Sequence, residues 1–491
     1  MKKILAIVLA LTMLLSIGML AGCSEEKPNE TKPSGTNGNG DPVTPAGPVG
    51  NFAVPEVGYD GSAVEITFYH TMGSNLSDVL DDYIVEFNKL YPNITVKWEK
   101  IGGYDDVRNQ IKTEITQNNQ PNIAYCYPDH VALYNLAQAV VTLDDLINST
   151  IPVTRADGTT EILGLTEEQK ADFIEGYYNE GKQFGDGLMY TLPMSKSTEV
   201  LYYNKTFFDQ HNLTVPTTWE EMEAVCKQIK EIDPTSIPLG YDSESNWFIT
   251  MCEQYNSPYT SATGNHFLFD NETNRNFVKT FRGWYQKGYV TTQNIYGSYT
   301  SGLFVATEGT HSYMSIGSSA GATHQRPDKG ADGSYPFEVG ITTIPQVSAD
   351  NAKVISQGPS LCIFNSKNIS DQEVVASWLF VKFLTTNVEF QAEFGMTSGY
   401  VPVLKSVSDN PVYADFINRA DGGDNIAALS AKVCLQQADA YYTSPAFNGS
   451  SEARDQVGNL LTAALVNPAN DVDALLDQLF EDAIDECEYN S

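Results

Sequence analysis

Residues 64–125 read VEITFYHTMGSNLSDVLDDYIVEFNKLYPNITVKWEKIGGYDDVRNQIKTEITQNNQPNIAY, and the order of patterns in this stretch decides the fold. Residues 64–69 form a β-rich run. Ser77 can cap a helix whose apolar face is Leu80, Tyr83, Ile84, Phe87 and Leu90, the spacing of a helical stripe. Tyr91-Pro92-Asn93 ends that helix, because proline cannot continue it. Residues 94–98 give a second strand, 104–117 a second helix and 123–125 a third strand. Strand and helix alternating over so few residues imply a parallel, doubly wound sheet. Ligands of such sheets sit beyond the carboxyl ends of the strands. That places the loops 69–77, 102–104 and 127–130 on one rim.

Further along, a second α/β unit starts near Lys196. Residues 199–203 read as a strand, and Thr218-Trp219-Glu220-Glu221 is a capping box opening a helix to about Glu231. Residues 237–241, 337–344 and 354–364 are strand-like. Ser370-Asp371-Gln372-Glu373 is another capping box, and the last hundred residues read as helical. The fold class is therefore α/β, with two doubly wound lobes.

The 491 residues allow two or three domains with full cores, and 42% hydrophobic residues exclude disorder for most of the chain. With 62 acidic against 29 basic residues, the net charge of −33 repels nucleic acid and anionic lipid alike. One long apolar run lies at the N-terminus, after Met1-Lys2-Lys3. It reads as a secretory signal over residues 1–23, and Leu20-Ala21-Gly22-Cys23 resembles a bacterial lipobox. That resemblance implies that Cys23 is lipidated, with a palmitate-type anchor holding the protein on the extracytoplasmic face of the cell membrane. The other reading is an ordinary signal peptide or an uncleaved anchor helix. Residues 24–61, dense in Pro, Gly, Ser, Thr and Asn, read as a flexible tether spanning roughly 30–35 Å. The other six cysteines have wide spacings and several lie in apolar runs, so buried free thiols are expected, although fifteen pairings are open.

From Glu65 to Leu146 the chain resembles the opening of the bacterial extracellular solute-binding proteins, maltose-binding-protein-like lipoproteins of ATP-binding-cassette importers. Tyr69-His70-Thr71 carries the resemblance, with Phe87-Asn88-Lys89-Leu90-Tyr91-Pro92-Asn93-Ile94, Gln120-Pro121-Asn122-Ile123 and Leu143-Asp144-Asp145-Leu146. Leu192-Pro193, Val200-Leu201-Tyr202-Tyr203-Asn204-Lys205, Val215-Pro216-Thr217-Thr218-Trp219, Gly358-Pro359 and Gly399-Tyr400-Val401-Pro402 follow in family order, over residues 62–465. The resemblance implies a periplasmic-binding-protein type II fold, two lobes closing on a ligand in the cleft between them. It implies lobe 1 at 62–196 with 336–398 returning to it, and lobe 2 at 197–335 with 399–491 returning. The crossings then fall near 196–198, 332–337 and 399–402. The expected function is to bind a carbohydrate, an oligosaccharide above all, and deliver it to permease subunits as a monomer, with no cofactor. Another small solute (glycerol-phosphate, polyamine or metal) is the alternative.

A sugar site wants aromatic platforms beside Asp, Asn, Glu, Ser or His. Tyr127 and Asp129 on one rim loop match a family segment that contacts ligand, although Asp129 also reads as a helix cap. His70, Ser74 and Asn75 match another contact segment, or form a solvated turn. Trp247 follows a polar loop where the family places an aromatic contact, the alternative being a core residue. Ser197 and Thr198 lie at the first crossing, where hinge packing competes with ligand contact. By the same resemblance, Tyr400 and Phe447 are candidates. The resemblance also implies that Ser318 and Ser319 open a helix whose first residues face the cleft, where free N–H groups can bind ligand oxygens.

Gly317-Ser318-Ser319-Ala320-Gly321 also has the form of a hydrolase nucleophile elbow. That chemistry needs a distant later histidine, and only His324, five residues on, follows Ser319. No phosphate-binding loop or H-E-x-x-H occurs, and the six histidines lack metal-ligand spacing. A surface-anchored glycoside hydrolase remains the one enzyme alternative, since two facing carboxylates cannot be read from sequence.

Overall fold

The computed structural model describes residues 52–490. Cys23, the signal segment and residues 24–51 of the expected tether lie outside the described residues. The first sheet runs β2 (Ile94–Lys100), β1 (Val64–His70), β3 (Ile123–Cys126), then two strands from later in the chain. The β1 strand pairs parallel with both β2 and β3, as the alternating pattern requires. The helix Ser74–Leu90 between β1 and β2 buries Leu80, Ile84 and Phe87. It starts earlier than its expected cap, since Gly73 is the N-cap and Ser77 Oγ instead donates to Gly73 and Ser74 carbonyls.

A small hairpin, β4 (Pro152–Thr154) and β5 (Thr160–Ile162), precedes β6 (Leu192–Pro193). The chain then leaves the first sheet and enters β7 (Ser197–Asn204), the spine of the second. Three strands pair with β7, namely β10 (Met314–Ser318), β11 (Val339–Thr342) and β12 (Val354–Gln357), while β8 (Leu239–Tyr241) pairs with β10 and β9 (Val290–Thr292) with β8. The chain returns to the first sheet as β13 (Ser360–Ile363), antiparallel to β3 and β6, and β14 (Tyr441–Tyr442) finishes the second sheet on β12.

Two lobe boundaries shift as a result. Both β11 and β12 pair with β7, so residues 339–357 belong to lobe 2 and the return to lobe 1 begins at Gly358, not at 336. Residues 401–404 stay on lobe 1: Val401 bridges Lys196, Leu404 bridges Phe173, and Ile174 N–H donates to Val403 O. Only afterwards do the helices Ile426–Gln436, Ser450–Val466 and Val472–Asn490 cover lobe 2. The expected tether also ends early. Phe52 is buried, Tyr59 meets Tyr91 edge-on, and Gln372 holds Gly58 O and Asp60 N–H, so residues 52–60 are seated on lobe 1.

Alternation along β7 divides the two cores. Val200 and Tyr202 point into the apolar body continuous with lobe 1, whereas Leu201 points into lobe 2's own core with Leu239, Tyr241, Met314 and Ile316. Both expected capping boxes form, at Thr218/Glu221 and Ser370/Glu373. Cys126, Cys226, Cys252, Cys362 and Cys434 are buried free thiols. Among the described residues no helix is long and apolar enough to cross a membrane.

Candidate functional site

A cavity open to solvent lies between the lobes and takes its walls from both. Lobe 1 contributes Tyr127, Asp129 and Glu180; lobe 2 contributes Tyr259, Thr260, Ser356, Gln357, Ser444 and Arg454, among others. Tyr127 is the N-cap of the helix Pro128–Asn135, which starts at the carboxyl end of β3. Its ring stacks on Tyr104 at 4.5 Å, and Tyr104 stacks in turn toward Tyr125 at 6.3 Å, giving lobe 1 a column of tyrosines. Asp129 sits in the first turn, where Oδ1 accepts the His130 N–H at 3.1 Å.

The lobes also touch directly. Arg108 Nη1 donates to Ser451 Oγ at 2.6 Å and faces Asp455 at 3.3 Å, and Thr443 Oγ1 donates to Gln183 Oε1 at 2.7 Å. On the lobe 2 wall, Arg454 donates to Asn246 Oδ1 and forms no ion pair among the described residues. Burial works against its charge, but Asp129 and the tyrosines 259, 127 and 442 hold the guanidinium above its ordinary range.

Five polar atoms of residues on this cavity are buried without a protein partner: Glu180 Oε2, Tyr259 OH, Thr260 Oγ1, Ser356 Oγ and Ser444 Oγ. Four are hydroxyls and one is a carboxylate oxygen. A buried polar group left unpaired costs about 1–3 kcal/mol, so such a set calls for a partner rich in hydrogen-bonding groups.

Of the residues expected from sequence, Tyr127 and Asp129 reach this wall. Tyr400 adjoins it: the ring stacks on Phe394, and the phenol lies in the electrostatic neighbourhood of Tyr104, Tyr125 and Tyr127. The others lie elsewhere. His70 is fully buried against Trp98, accepts the Met72 N–H, and is held neutral by burial with its pKa down at about 4. Ser74 and Asn75 are exposed at the start of their helix. Ser197 and Thr198 are buried in the hinge, Thr198 Oγ1 donating to Ile355 O at 2.6 Å. Ser319 Oγ accepts the Thr198 N–H at the hinge, whereas Ser318 Oγ caps its own short 3₁₀ turn. Phe447 stacks on His266, while its neighbour Pro445 lines the cavity.

Trp247 is the clearest correction. It is fully buried in lobe 2, stacked on Tyr241 at 4.8 Å and against Phe281 at 4.0 Å. Ser243 caps the helix Glu244–Gln254 and fixes its rotation, which turns Trp247 inward and Asn246 toward Arg454. Sequence reasoning missed Glu180, Tyr259 and Arg454. Each stands on an ordinary segment, with no local signal to separate it from its neighbours.

Behind Arg454, Glu199 accepts from Tyr241 OH at 2.7 Å and Asn246 Nδ2 at 2.9 Å. Burial pushes its pKa from 4.5 up to about 7, against the pull of those two hydrogen bonds and of Arg454. The folded state therefore keeps a proton that the unfolded chain has lost between pH 4.5 and 7. Stability from this group is full below pH 4.5 and is lost as pH rises through 7, a fall of roughly 3 kcal/mol. Denaturant midpoints from pH 4 to 8 should show that fall in the wild type and a flatter profile in Glu199→Gln. Identical profiles would remove Glu199 as its source.

A family model for bacterial extracellular solute-binding proteins matches residues 82–420. The sn-glycerol-3-phosphate-binding periplasmic protein of Pectobacterium atrosepticum is 22% identical over 385 residues, covering 76% of this chain and 80% of that one. Among solved structures, UgpB from Mycobacterium tuberculosis in complex with glycerophosphocholine aligns with a TM-score of 0.68 at 18% identity, over 87% of this chain and 99% of that one. The cyclic alpha-maltosyl-1,6-maltose binding protein from Arthrobacter globiformis aligns with a TM-score of 0.65 at 17% identity, over 88% and 100%.

Proposed function

Because this chain belongs to the bacterial extracellular solute-binding proteins, we propose that it captures a carbohydrate, an oligosaccharide above all, between its lobes for an ATP-binding-cassette importer. In this reading Cys23 carries the lipid that holds it on the extracytoplasmic face of the membrane, and a monomer presents the solute to permease subunits. The observation that carries the ligand class is the set of unpartnered cavity hydroxyls and the Glu180 carboxylate oxygen, lying beside a tyrosine column. Sugar hydroxyls both donate and accept, which suits such a wall, and a sugar's weakly apolar face suits a stacked ring. Tyr127 is the platform and Asp129 a hydroxyl acceptor; Tyr400 flanks the column. In this reading the solute leaves chemically unchanged, so specificity is a difference of binding free energies.

Arg454 favours a second reading, a glycerophosphate-type solute of the kind named for the Pectobacterium relative. Its guanidinium stands on the cavity without a carboxylate in ion-pair contact, and Arg suits phosphate by its planar fork. A thermal-shift screen with an oligosaccharide panel and glycerol 3-phosphate separates the readings. A rise in melting temperature with a glycan alone supports the carbohydrate; a rise with glycerol 3-phosphate alone replaces it. Asp129→Ala should weaken glycan binding by about 1–3 kcal/mol in calorimetry, the scale of a hydrogen bond left unmade in a buried site. Unchanged affinity would take Asp129 off the contact wall. Recovering the glycan intact after long incubation separates a binder from the hydrolase alternative, which would release new reducing ends.

A further inference from the structure

We propose that Glu180 contacts the solute with one carboxylate oxygen while the other is held by Lys196 at the hinge, so that one side chain joins the cleft to the lobe crossings. This rests on the cleft being the carbohydrate site. Glu180 ends the helix Glu175–Glu180 and is 2% exposed, yet it lines the interlobe cavity. Its Oε1 accepts from Lys196 Nζ at 2.7 Å, and its Oε2 has no partner.

Lys196 sits where the chain first passes between lobes, and its contacts reach the other crossing segments. Its Nζ also donates to Gly358 O at 3.3 Å and Ser360 Oγ at 3.1 Å, on the second crossing. Its backbone exchanges both hydrogen bonds with Val401. The crossings are pressed so closely that a Cβ on Gly358, whose φ is +105°, would lie 2.7 Å from Ser195 O and 2.9 Å from Lys196 Cα. Three residues beyond Glu180, Gln183 bonds the lobe 2 segment at Thr443 and Ala446, next to cavity-lining Ser444 and Pro445.

A counter-ion serving Lys196 alone would use both oxygens within the protein. Glu161, the other carboxylate paired with a buried lysine, does so: Oε1 accepts from Tyr91 and Arg155, and Oε2 from Lys382. Glu180, a residue lining the cavity, instead keeps one buried oxygen unpaired, and it is the only charged residue among the five with unpartnered atoms named above. A carboxylate oxygen in that position accepts from a neutral hydroxyl and disfavours an anion. The chemistry it selects is therefore a polyol hydroxyl, and a ligand hydroxyl bound there meets a group already fixed to the hinge.

The test uses the full chain in detergent micelles on a printed glycan array, comparing wild type, Glu180→Gln and the double variant Lys196→Met/Glu180→Gln. The single variant leaves an ammonium unpaired; the double variant removes that charge as well, relieving a loss caused only by a disturbed hinge. Glycans bound by the wild type should lose at least tenfold in affinity in both variants. Affinity within twofold of wild type in Glu180→Gln, or recovered to that level in the double variant, overturns the proposal and leaves the carbohydrate reading standing. A wild type that binds no glycan overturns the carbohydrate reading, and this proposal with it.

Discussion

Trp247→Ala should lower the stability of the solute-free protein by about 3–5 kcal/mol, the range for deleting a buried aromatic ring. The indole fills the centre of lobe 2, with Tyr241 stacked on one side and Phe281, Trp219 and the rest of an aromatic cluster around it. Its Nε1–H has no hydrogen-bond partner, so the loss comes from packing and cavity formation. Urea unfolding followed by circular dichroism measures it directly. Solute affinity, measured at a temperature where the variant remains folded, should change little because the ring does not reach the cleft. Normal stability with lost affinity would reverse the assignment and return Trp247 to the ligand wall.

Lys196→Met has the second large effect, again about 3–5 kcal/mol, because it leaves Glu180 buried without its counter-charge. Burial already pushes the Glu180 carboxyl above its ordinary pKa, and Lys196 is what pulls it down. Without that ammonium, the folded protein must protonate Glu180 or strand a charge, so the variant should lose most stability above neutral pH. The pair is shielded from water, so the destabilisation should persist in high salt. By contrast, the exposed pair Lys97–Glu65 should contribute between 0 and about 1 kcal/mol and fade with added salt. A salt-sensitive or negligible effect of Lys196→Met would show that the hinge does not depend on this pair.

The sequence announces its architecture through features that act locally. The apolar stripe from Leu80 to Phe87, the capping boxes at Thr218 and Ser370, and the strand–helix alternation from Val64 onward all appear as read. Local chemistry stops short where distant segments decide. Residues 52–60 look like more tether because they continue a Pro- and Gly-rich segment without apolar periodicity, but Phe52 and Tyr59 find apolar partners on lobe 1. Strands β11 and β12 look like any strands, and only pairing with β7 assigns them to lobe 2.

The site divides the same way. Tyr127 and Asp129 were legible because they sit at the carboxyl end of β3, where a doubly wound sheet presents its ligands. Trp247 was misplaced because the phase of a helix is set by its cap and its neighbours, which the residue type does not disclose. Glu180 and Arg454 face each other's cavity only after two lobes and three crossings assemble, so nothing in their own neighbourhoods marks them.

The most direct measurement is hydrogen exchange with and without the glycan giving the largest thermal shift. Solute bound between the lobes should protect residues 127–131 and residues 443–454 together, with added protection at the crossings 194–198 and 358–360. Protection confined to one lobe, or appearing on both walls only with glycerol 3-phosphate, would contradict a carbohydrate held between the two.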